Sequence, residues 1–223
     1  MIRTPMGALS FRIDLHVHSL LSGDNSADPE DCIVRAIAAG LQGLAFTEHY
    51  TYAASKPLEP LIERYRGKIL VLRAVEFSVE EGHCLVFGAD PDRLCEPYAP
   101  AAELVREVNR AGGAVIPSHP HRTCCGLGRL VLELPGIAAV EGLNGCNLDR
   151  DNQLAIEDAR RARLPCTGGS DAHRPEDVGL CYTEFTEPVT AENLVGLLKA
   201  GRYRPAESEK RKKFSRGLRR GAG

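Results

Sequence analysis

The sequence lacks any apolar run that approaches the roughly 18 residues needed to cross a bilayer. Its opening, MIRTPMGALSF, also lacks the charged segment and long apolar stretch of a cleavable signal peptide. Hydrophobic residues make up 43% of the 223 residues, which is ordinary for a globular protein with a buried core. We therefore expect a soluble cytoplasmic protein with no membrane partner.

The sequence also lacks a CxxC pair, although it contains eight cysteines. Several of them lie in apolar surroundings, as in DCIVRAIAA and HCLVFG. In a chain without a signal peptide this pattern favours free, mostly buried thiols over a disulfide framework. The adjacent pair Cys124 and Cys125 lies in a glycine-containing loop; it is a metal-binding option, but adjacent cysteines are a poor zinc spacing.

Charge is not evenly distributed along the chain, although the net value is only −2. Residues 204–223 contain eight Lys or Arg and two Glu, so this end is strongly basic and the rest is acidic. Such a run is typical of a solvated, disordered tail. The more specific alternative is that it contacts nucleic acid. We expect one domain over residues 1–203 and a basic, disordered tail over 204–223.

Strand-like and helix-like segments alternate along the chain, which indicates an α/β fold with a parallel sheet or barrel. The first helix is the clearest, because Asp28 is a good N-cap, Pro29 suits the first helical position and Gly40 can end the helix. The length suits one barrel-like domain, somewhat short of the roughly 250 residues of eight complete units.

Polar residues stand at the ends of the apolar strands. His16 and His18 are two residues apart in IDLHVHS, so on a strand they project from the same face. The carboxyl ends of strands converge in parallel α/β folds, so these groups are expected to meet. The others at such positions are Asp24, His49, Glu76, His83, His119, Asp171 and His173.

A dense group of imidazoles and carboxylates is costly unless cations neutralise it. This mixture of ligands suits Zn, Mn or Fe better than Ca.

Two residues nearby have plainer interpretations. Glu48 should point away because its neighbour His49 points in, and His121 is either a supporting group or a surface residue.

The ordered set DLHVHS, FTEH, AVEFS, SHP and GGSDAH resembles the PHP (polymerase and histidinol phosphatase) family over nearly the whole chain up to about residue 203. This resemblance implies a distorted (β/α)7 barrel, two to three divalent metals in a trinuclear centre, and hydrolysis of phosphoesters.

The resemblance also implies a set of ligands. The first metal is matched by His16, His18, Glu76 and Asp171, the second by Glu76, His83 and His119, and the third by Asp24, His49 and His173. Glu76 would bridge two cations, since a carboxylate has two oxygens to share. His83 has the most variable equivalent in the family, and Asp24 stands where some relatives have His.

The chemistry implied is attack on phosphorus by a metal-bridging hydroxide. Glu76 and Asp171 are the expected catalytic ligands. Arg122, directly after SHPH, is either a clamp on a phosphate oxygen or a surface arginine, and Arg174 is a weaker candidate of the same kind. Asp14 and Asn144 either orient ligand imidazoles or simply cap a strand. The proton donor to the leaving group stays open between a metal-bound water and His121.

Three functions follow in order of preference. The first is a metal-dependent phosphoesterase acting on a small phosphomonoester. The second is a nuclease of the same fold acting on nucleic-acid ends, with the basic tail as a contact. The third is a metal-binding regulatory module without catalysis, which would predict missing ligands. Substrate identity, oligomeric state and the choice among Mn, Zn and Fe are not encoded in a recognisable pattern.

Overall fold

The computed structural model describes residues 11–213, and none of its helices is long and apolar enough to cross a membrane. The strands and α-helices follow one another in this order: β1 (Phe11–Val17), α1 (Pro29–Ala38), β2 (Gly43–His49), α2 (Glu59–Arg64), β3 (Leu70–Val79), β4 (Gly82–Phe87), α3 (Ala101–Arg110), β5 (Ala114–Pro117), β6 (Val140–Asn144), α4 (Asp149–Ala162), β7 (Cys166–Gly169), β8 (Cys181–Phe185), α5 (Leu194–Ala200) and β9 (Tyr203–Glu207).

The first helix begins and ends as its sequence predicts. The Asp28 side chain accepts hydrogen bonds from the backbone N–H groups of Glu30 and Asp31, and Pro29 occupies the first turn. After Ala38 the chain turns away from the helix, and Gly40 adopts a positive φ of 75°. Cys32, Ile33 and Ala36 form the buried face of α1. They pack with Leu44 and Phe46 of β2 against the outside of the sheet.

The strands form a curled α/β half-barrel, which confirms the expected fold class. One sheet has the order β5-β4-β3-β2-β1-β8-β9, and β6 pairs with β7 in a second sheet. The strand directions differ from a fully parallel barrel. The pairs β1–β2, β2–β3 and β6–β7 are parallel, whereas β3–β4, β4–β5, β1–β8 and β8–β9 are antiparallel. β3 and β4 form a hairpin because only Glu80 and Glu81 separate the paired residues Val79 and Gly82.

The β6–β7 pair lies across the open side of the larger sheet. Before β6, the N–H of Ala138 donates to the carbonyl of Val115 in β5. After β7, the N–H of His18 donates to the carbonyl of Ala172, and Val17 bridges Ala172 in parallel. Gly169 permits this approach, because a Cβ there would lie 2.4 Å from Cβ of His16. The chain thus brings the end of β7 directly beside the end of β1.

Side-chain alternation places a polar layer above an apolar interior. Ala74 of β3 belongs to the interior apolar cluster, and Glu76 follows two residues later on the same face. In β4, Leu85 belongs to that cluster and His83 precedes it by two residues. Because β4 runs antiparallel to β3 and His83 pairs with Ser78, His83 lies at the same end of the barrel as Glu76.

The expected disordered tail differs from the structure over residues 204–213. β9 pairs antiparallel with β8, and residues 209–213 form a helical turn. Arg211 in that turn is only 2% exposed, and its Nη2 donates to the backbone carbonyl of Asn147 at 2.8 Å. The density of charge suggested disorder, but two of the charged side chains have partners in the fold. Arg211 makes a buried contact, and Arg204 pairs with Glu184. Residues 214–223, the rest of the predicted tail, lie outside the described residues.

Candidate metal centre

The nine side chains predicted as metal ligands form one connected cluster at this end of the barrel. Each has a nitrogen or oxygen atom within 3.7 Å of an oppositely charged or chargeable partner in the set. The members are His16, His18, Asp24, His49, Glu76, His83, His119, Asp171 and His173. Their proximity is a fact of the structure; their role as ligands stays a prediction.

Glu76 lies at the middle of the cluster and is 1% exposed. Its Oε1 is 2.8 Å from Nε2 of His119 and accepts a 2.7 Å hydrogen bond from the Ser118 hydroxyl. Its Oε2 faces a different pair of rings, 3.2 Å from Nδ1 of His49 and 3.4 Å from Nε2 of His18. The two oxygens of one carboxylate therefore address two separate groups of imidazoles.

Asp171 divides its two oxygens between the cluster and its support. Oδ1 is 3.4 Å from Nε2 of His16 and 3.3 Å from Nε2 of His18. Oδ2 accepts hydrogen bonds from Nη2 of Arg122 at 2.6 Å and from Nδ2 of Asn144 at 3.1 Å. The carboxylate is thus held from behind while one oxygen remains directed at the histidines.

The outer rim of the cluster is the most exposed part. Oδ2 of Asp24 lies 3.2 Å from Nε2 of His49 and 3.2 Å from Nε2 of His173. The Asp24 and His173 side chains are 40% and 37% exposed, whereas His16 is fully buried. The third predicted site therefore faces solvent.

Two cluster residues have unusual backbone conformations. His119 and Asp171 have φ values of 30° and 55°, in the left-handed region that non-glycine residues rarely adopt. Such a conformation costs on the order of 1–3 kcal/mol and persists where surrounding contacts impose it. Here the N–H of Asp171 donates to the carbonyl of His16 at 2.7 Å, and the N–H of His119 donates to Oε2 of Glu141 at 2.8 Å.

The tautomer of His16 follows from its buried partner. Nδ1 is 2.8 Å from Oε1 of Glu141, a carboxylate that is 1% exposed. The other Glu141 oxygen already accepts from the N–H of His119 and the side-chain amide of Asn144. Nδ1 of His16 is therefore the donor to Glu141, and Nε2 is the nitrogen that faces the cluster, the orientation that a metal-binding imidazole requires.

His18 is oriented in the same way through a hydroxyl. The Ser22 hydroxyl donates to Oε2 of Glu48 at 2.5 Å, so its oxygen is left to accept. It accepts from the N–H of His49 at 3.1 Å and faces Nδ1 of His18 at 3.2 Å. Nδ1 of His18 is therefore the donor to Ser22, and Nε2 is the nitrogen that faces the cluster, 3.0 Å from Nε2 of His16. Glu48 points away from the cluster, as strand alternation predicts. It supports His18 indirectly, by accepting the hydrogen bond of the Ser22 hydroxyl.

The buried groups shift one another's pKa values strongly. Burial alone would lower the pKa of His16, but the carboxylates of Asp171 and Glu141 outweigh it and raise that pKa well above its usual value. Burial would lower the pKa of His18, but the hydrogen bonds that its ring donates to Asp171 and Glu76 outweigh burial and raise that pKa to about 9. Burial would raise the pKa of Glu76, yet His16 and His119 hold it well below its usual range. The carboxylates thus make the centre strongly attractive to positive charge.

The donor atoms fit divalent cations. Four groups of three residues place one potential ligand atom each within 4.8 Å of the others. Nδ1 of His83 is a buried nitrogen with no hydrogen-bond partner among the described residues, and it lies 3.5 Å from Oε1 of Glu76. A buried imidazole nitrogen without a proton partner is costly unless something else occupies it. Imidazole mixed with carboxylate suits Zn, Mn or Fe.

The predicted accessory residues have different positions. Arg122 is not a surface arginine: Nε donates to Oδ1 of Asn147, and Nη2 donates to Asn144 and Asp171. Arg174 pairs with Asp177 and is 75% exposed, so it is no part of the cluster. His121 is neither a support for a ligand nor a free surface residue. Its Nε2 is 2.9 Å from Oδ2 of the buried Asp158, which makes it a structural partner of α4.

Asp14 is buried in β1, but its carboxylate does not orient a ligand ring, which was one of its two predicted roles. Its Oδ1 accepts from the N–H of Ser170, and its Oδ2 accepts from the N–H of Gly179, both at 2.8 Å. Burial raises the pKa of Asp14 to about 6 in spite of these donors. Asp14 therefore fixes the backbone between β7 and β8 rather than a ligand ring.

Glu141 is the functional residue that the sequence reasoning missed. It lies in β6, whose sequence VEGLN places one charged residue in a buried strand. That burial was the available signal, since a carboxylate inside an apolar strand needs partners. The partners, His16 and His119, are more than 20 residues away in the sequence, and only the fold brings them together.

Comparison with known proteins agrees with this geometry. A family model described as PHP domain matches residues 14–118, and one described as PHP-associated matches residues 149–203. No curated protein sequence matches the chain significantly.

Three solved structures share the fold, each at 17% sequence identity. A two-domain protein from Bacteroides vulgatus, which contains a predicted PHP-like metal-dependent phosphoesterase, has a TM-score of 0.72 and covers 94% of this chain and 68% of its own. PsfC from Pseudomonas syringae has a TM-score of 0.68, with 96% and 99% coverage. The lesion-specific endonuclease PfuEndoQ from Pyrococcus furiosus has a TM-score of 0.64, with 88% and 58% coverage.

A curled α/β barrel with histidines and carboxylates gathered at one end of its strands defines a class of metal-dependent hydrolases. The two matched segments cover most of the chain and include eight of the predicted ligands in order, with the ninth, His119, one residue beyond the first segment. The chain belongs to the PHP family.

Proposed function

We propose that this protein is a metal-dependent phosphoesterase that hydrolyses a small phosphomonoester. The observation that carries the proposal is the position of Glu76. One oxygen of its carboxylate faces His119 and the other faces His18 and His49, with every atom pair within 3.4 Å. A carboxylate so placed is suited to hold two cations side by side, which is the arrangement that phosphoryl transfer uses.

The predicted ligands hold two to three divalent ions of Mn, Zn or Fe in this proposal. Bound divalent cations supply a nucleophile from water near neutral pH and neutralise charge on phosphoryl oxygens. His16 and His18 contribute their Nε2 atoms, because Glu141 and Ser22 hold the protons on the opposite nitrogens. Asp171 contributes Oδ1, since Arg122 and Asn144 occupy Oδ2.

Arg122 has two tasks in this proposal. It fixes Asp171, and it carries a permanent positive charge beside the cluster. Burial would lower the pKa of Arg122, but the neighbouring Asp171 carboxylate raises it above its usual value. The bonds to protein use Nε and Nη2, and we assign Nη1 to a phosphoryl oxygen of the substrate. Such a fixed guanidinium stabilises charge that develops during transfer.

A substrate panel tests the proposal. The purified protein is loaded with Mn²⁺ or Zn²⁺ and offered p-nitrophenyl phosphate, nucleotides, histidinol phosphate and labelled oligonucleotides. We expect metal-dependent release of phosphate from at least one small monoester and its loss in Glu76→Gln. Glu80→Gln is the matched control, because Glu80 is an exposed carboxylate at the end of the same strand.

The other functions are outcomes of the same panel. Turnover of oligonucleotides alone would replace the monoesterase with a nuclease, and PfuEndoQ shows that the fold is compatible with that activity. The described part of the basic segment lends it little support, because Arg204, Lys210 and Arg211 all contact this chain itself. Full metal occupancy without turnover of any substrate would indicate a metal-binding regulatory module.

A further inference from the structure

Two adjacent thiols lie in the loop that also carries His119 and Arg122. Sγ of Cys124 is 3.1 Å from Sγ of Cys125, so the two sulfur atoms are in contact while both cysteines are free. Cys124 is exposed to solvent, whereas Cys125 is half-buried. Sγ of Cys125 is also 3.9 Å from Nδ1 of His119. The loop therefore presents a pair of thiols directly beside the candidate metal centre.

The backbone at Cys125 is bonded to a residue of the metal centre. Its carbonyl accepts a 3.0 Å hydrogen bond from the N–H of His83, and its own N–H donates to the carbonyl of Arg122 at 3.4 Å. Gly82 permits the first contact, since a Cβ there would lie 2.6 Å from the Cys125 carbonyl oxygen. Any movement of the backbone at Cys125 therefore reaches His83, one of the predicted ligands.

A disulfide between neighbouring residues is strained. Cys124 and Cys125 are joined by a trans peptide bond, which separates the two Cα atoms by about 3.8 Å. Disulfides usually join Cα atoms that are about 4.4–6.8 Å apart. Closing the bond therefore requires the peptide between the cysteines to turn, and the strain makes the disulfide easy to reduce again. Strained, exposed disulfides are the labile kind found in regulation rather than in structural support.

We propose that Cys124 and Cys125 form a reversible disulfide on exposure to hydrogen peroxide, and that this bond breaks the contact between the Cys125 carbonyl and the His83 N–H. In the first step the Cys124 sulfur attacks one peroxide oxygen, the O–O bond breaks, and a sulfenic acid and one water result. In the second step Cys125 attacks the Cys124 sulfur, the S–O bond breaks, the S–S bond forms and a second water leaves. Two electrons pass from the two thiols to the peroxide.

Exposure determines the order of these steps. Cys124 meets the oxidant first because it is the exposed thiol. Burial raises the pKa of the Cys125 thiol to about 12, which makes Cys125 the poorer first nucleophile. Its attack on oxidised Cys124 is nevertheless intramolecular and joins atoms that are already in contact. Such proximity offsets a small fraction of thiolate.

Peptide mapping of the wild-type protein tests the disulfide. Trypsin cleaves after Arg122 and Arg129, so the peptide of residues 123–129 contains Cys124 and Cys125 and no other cysteine. The protein is treated with hydrogen peroxide, its remaining free thiols are alkylated, and it is then digested. We expect this peptide to have lost two hydrogen atoms and to carry no alkyl group. Reduction with a dithiol before alkylation should restore both thiols.

Single substitutions locate the reaction. Cys124→Ser and Cys125→Ser should each abolish the linked form of the peptide, because each removes one of its two sulfur atoms. Cys146→Ser should leave it unchanged, and it is the matched control because Cys146 is another exposed cysteine outside this loop.

Amide hydrogen exchange tests the connection to the metal centre without any metal or substrate. Loss of the bond to the Cys125 carbonyl should make the His83 amide exchange about tenfold faster in the oxidised protein, and reduction should reverse the change. The amide of Leu85 in the middle of β4 is the control, since that residue is paired with both β3 and β5.

Several results would overturn the inference. They are a peptide that keeps two free thiols, one that carries a sulfinic or sulfonic group without an S–S bond, and a disulfide from either cysteine to another part of the chain. A linked peptide without faster exchange at His83 would refute the connection to the metal centre. All of these are measured on the wild type, so they do not depend on the folding of a variant. None of them requires turnover, so the proposed function is tested separately.

Discussion

The replacement of Glu141 by Gln tests whether the buried carboxylate behind His16 controls metal binding. Glu141 accepts three hydrogen bonds: Oε1 from His16 Nδ1, and Oε2 from His119 N–H and Asn144 Nδ2. A glutamine side chain of the same shape has only one oxygen. Placed at the Oε2 position, that oxygen keeps two of the bonds, and the amide NH₂ then faces Nδ1 of His16.

His16 can satisfy that amide only by moving its proton from Nδ1 to Nε2. The change removes the lone pair that points into the cluster, so one metal ligand is lost although every hydrogen bond at Glu141 is replaced. Substitutions in such supporting residues typically weaken metal binding by about 10–100-fold, which corresponds to about 1.4–2.7 kcal/mol. We therefore expect a large loss of metal affinity with a small change in the free energy of unfolding of the metal-free protein.

Titration of the metal-free protein with Zn²⁺ against a competing chelator measures the affinity, and urea denaturation measures the stability. Glu133→Gln is the control, since Glu133 is an exposed glutamate ahead of the same strand. Nitrogen-15 NMR of the His16 ring in the zinc-loaded protein reports directly which ring nitrogen carries the proton. A Glu141→Gln protein that binds zinc within about twofold of the wild type would refute the tautomer argument.

Three further predictions follow from the same contacts. Ser22→Ala removes a hydroxyl that partners His18 and the buried Glu48, so it should destabilise the protein by about 1–3 kcal/mol in urea denaturation; Ser26→Ala, at an exposed position, should not, and equal effects would contradict the assigned role. Arg211→Met should cost a similar amount because it strips the buried contacts of the C-terminal turn; Lys213→Met is the exposed control, and an unchanged midpoint for Arg211→Met would show that the turn does not stabilise the fold. Chelation should lower the thermal midpoint, since a cation present at 100 times its Kd adds about 2.7 kcal/mol to the folded state; an identical midpoint with and without chelator would argue against a bound metal.

Local patterns predicted which side chains lie together at one end of the barrel, because strands impose a simple geometry. A period of two places His16 beside His18 and puts Glu76 above Ala74 on the interior face. The ends of strands are where loops converge, so the scattered motifs were expected to meet. The cap at Asp28 is equally local and is confirmed.

Such local patterns could not predict partners that are distant from each other in the sequence. Glu141 supports His16 across 125 residues, and a single carboxylate in VEGLN has no spacing that identifies this role. The antiparallel pairing of β4 with β3 was also not predicted. Its turn consists of Glu80 and Glu81, and two adjacent glutamates are not a recognisable turn signal. The basic segment at the C-terminal end suggested disorder by its charge alone, because composition does not reveal that Arg211 has a buried acceptor waiting in another loop.

Asn147 joins two arginines that are far apart in the chain. Its backbone carbonyl accepts a hydrogen bond from Arg211, and its side-chain oxygen accepts one from Arg122. Arg122 in turn donates a hydrogen bond to Asp171. The last helical turn is therefore connected through Asn147 and Arg122 to the candidate metal centre. A shortened protein that stops after β9 would retain every predicted metal ligand but lose the Arg211 hydrogen bond that holds Asn147 in place. Any boundary chosen for expression or fusion should therefore fall beyond residue 213.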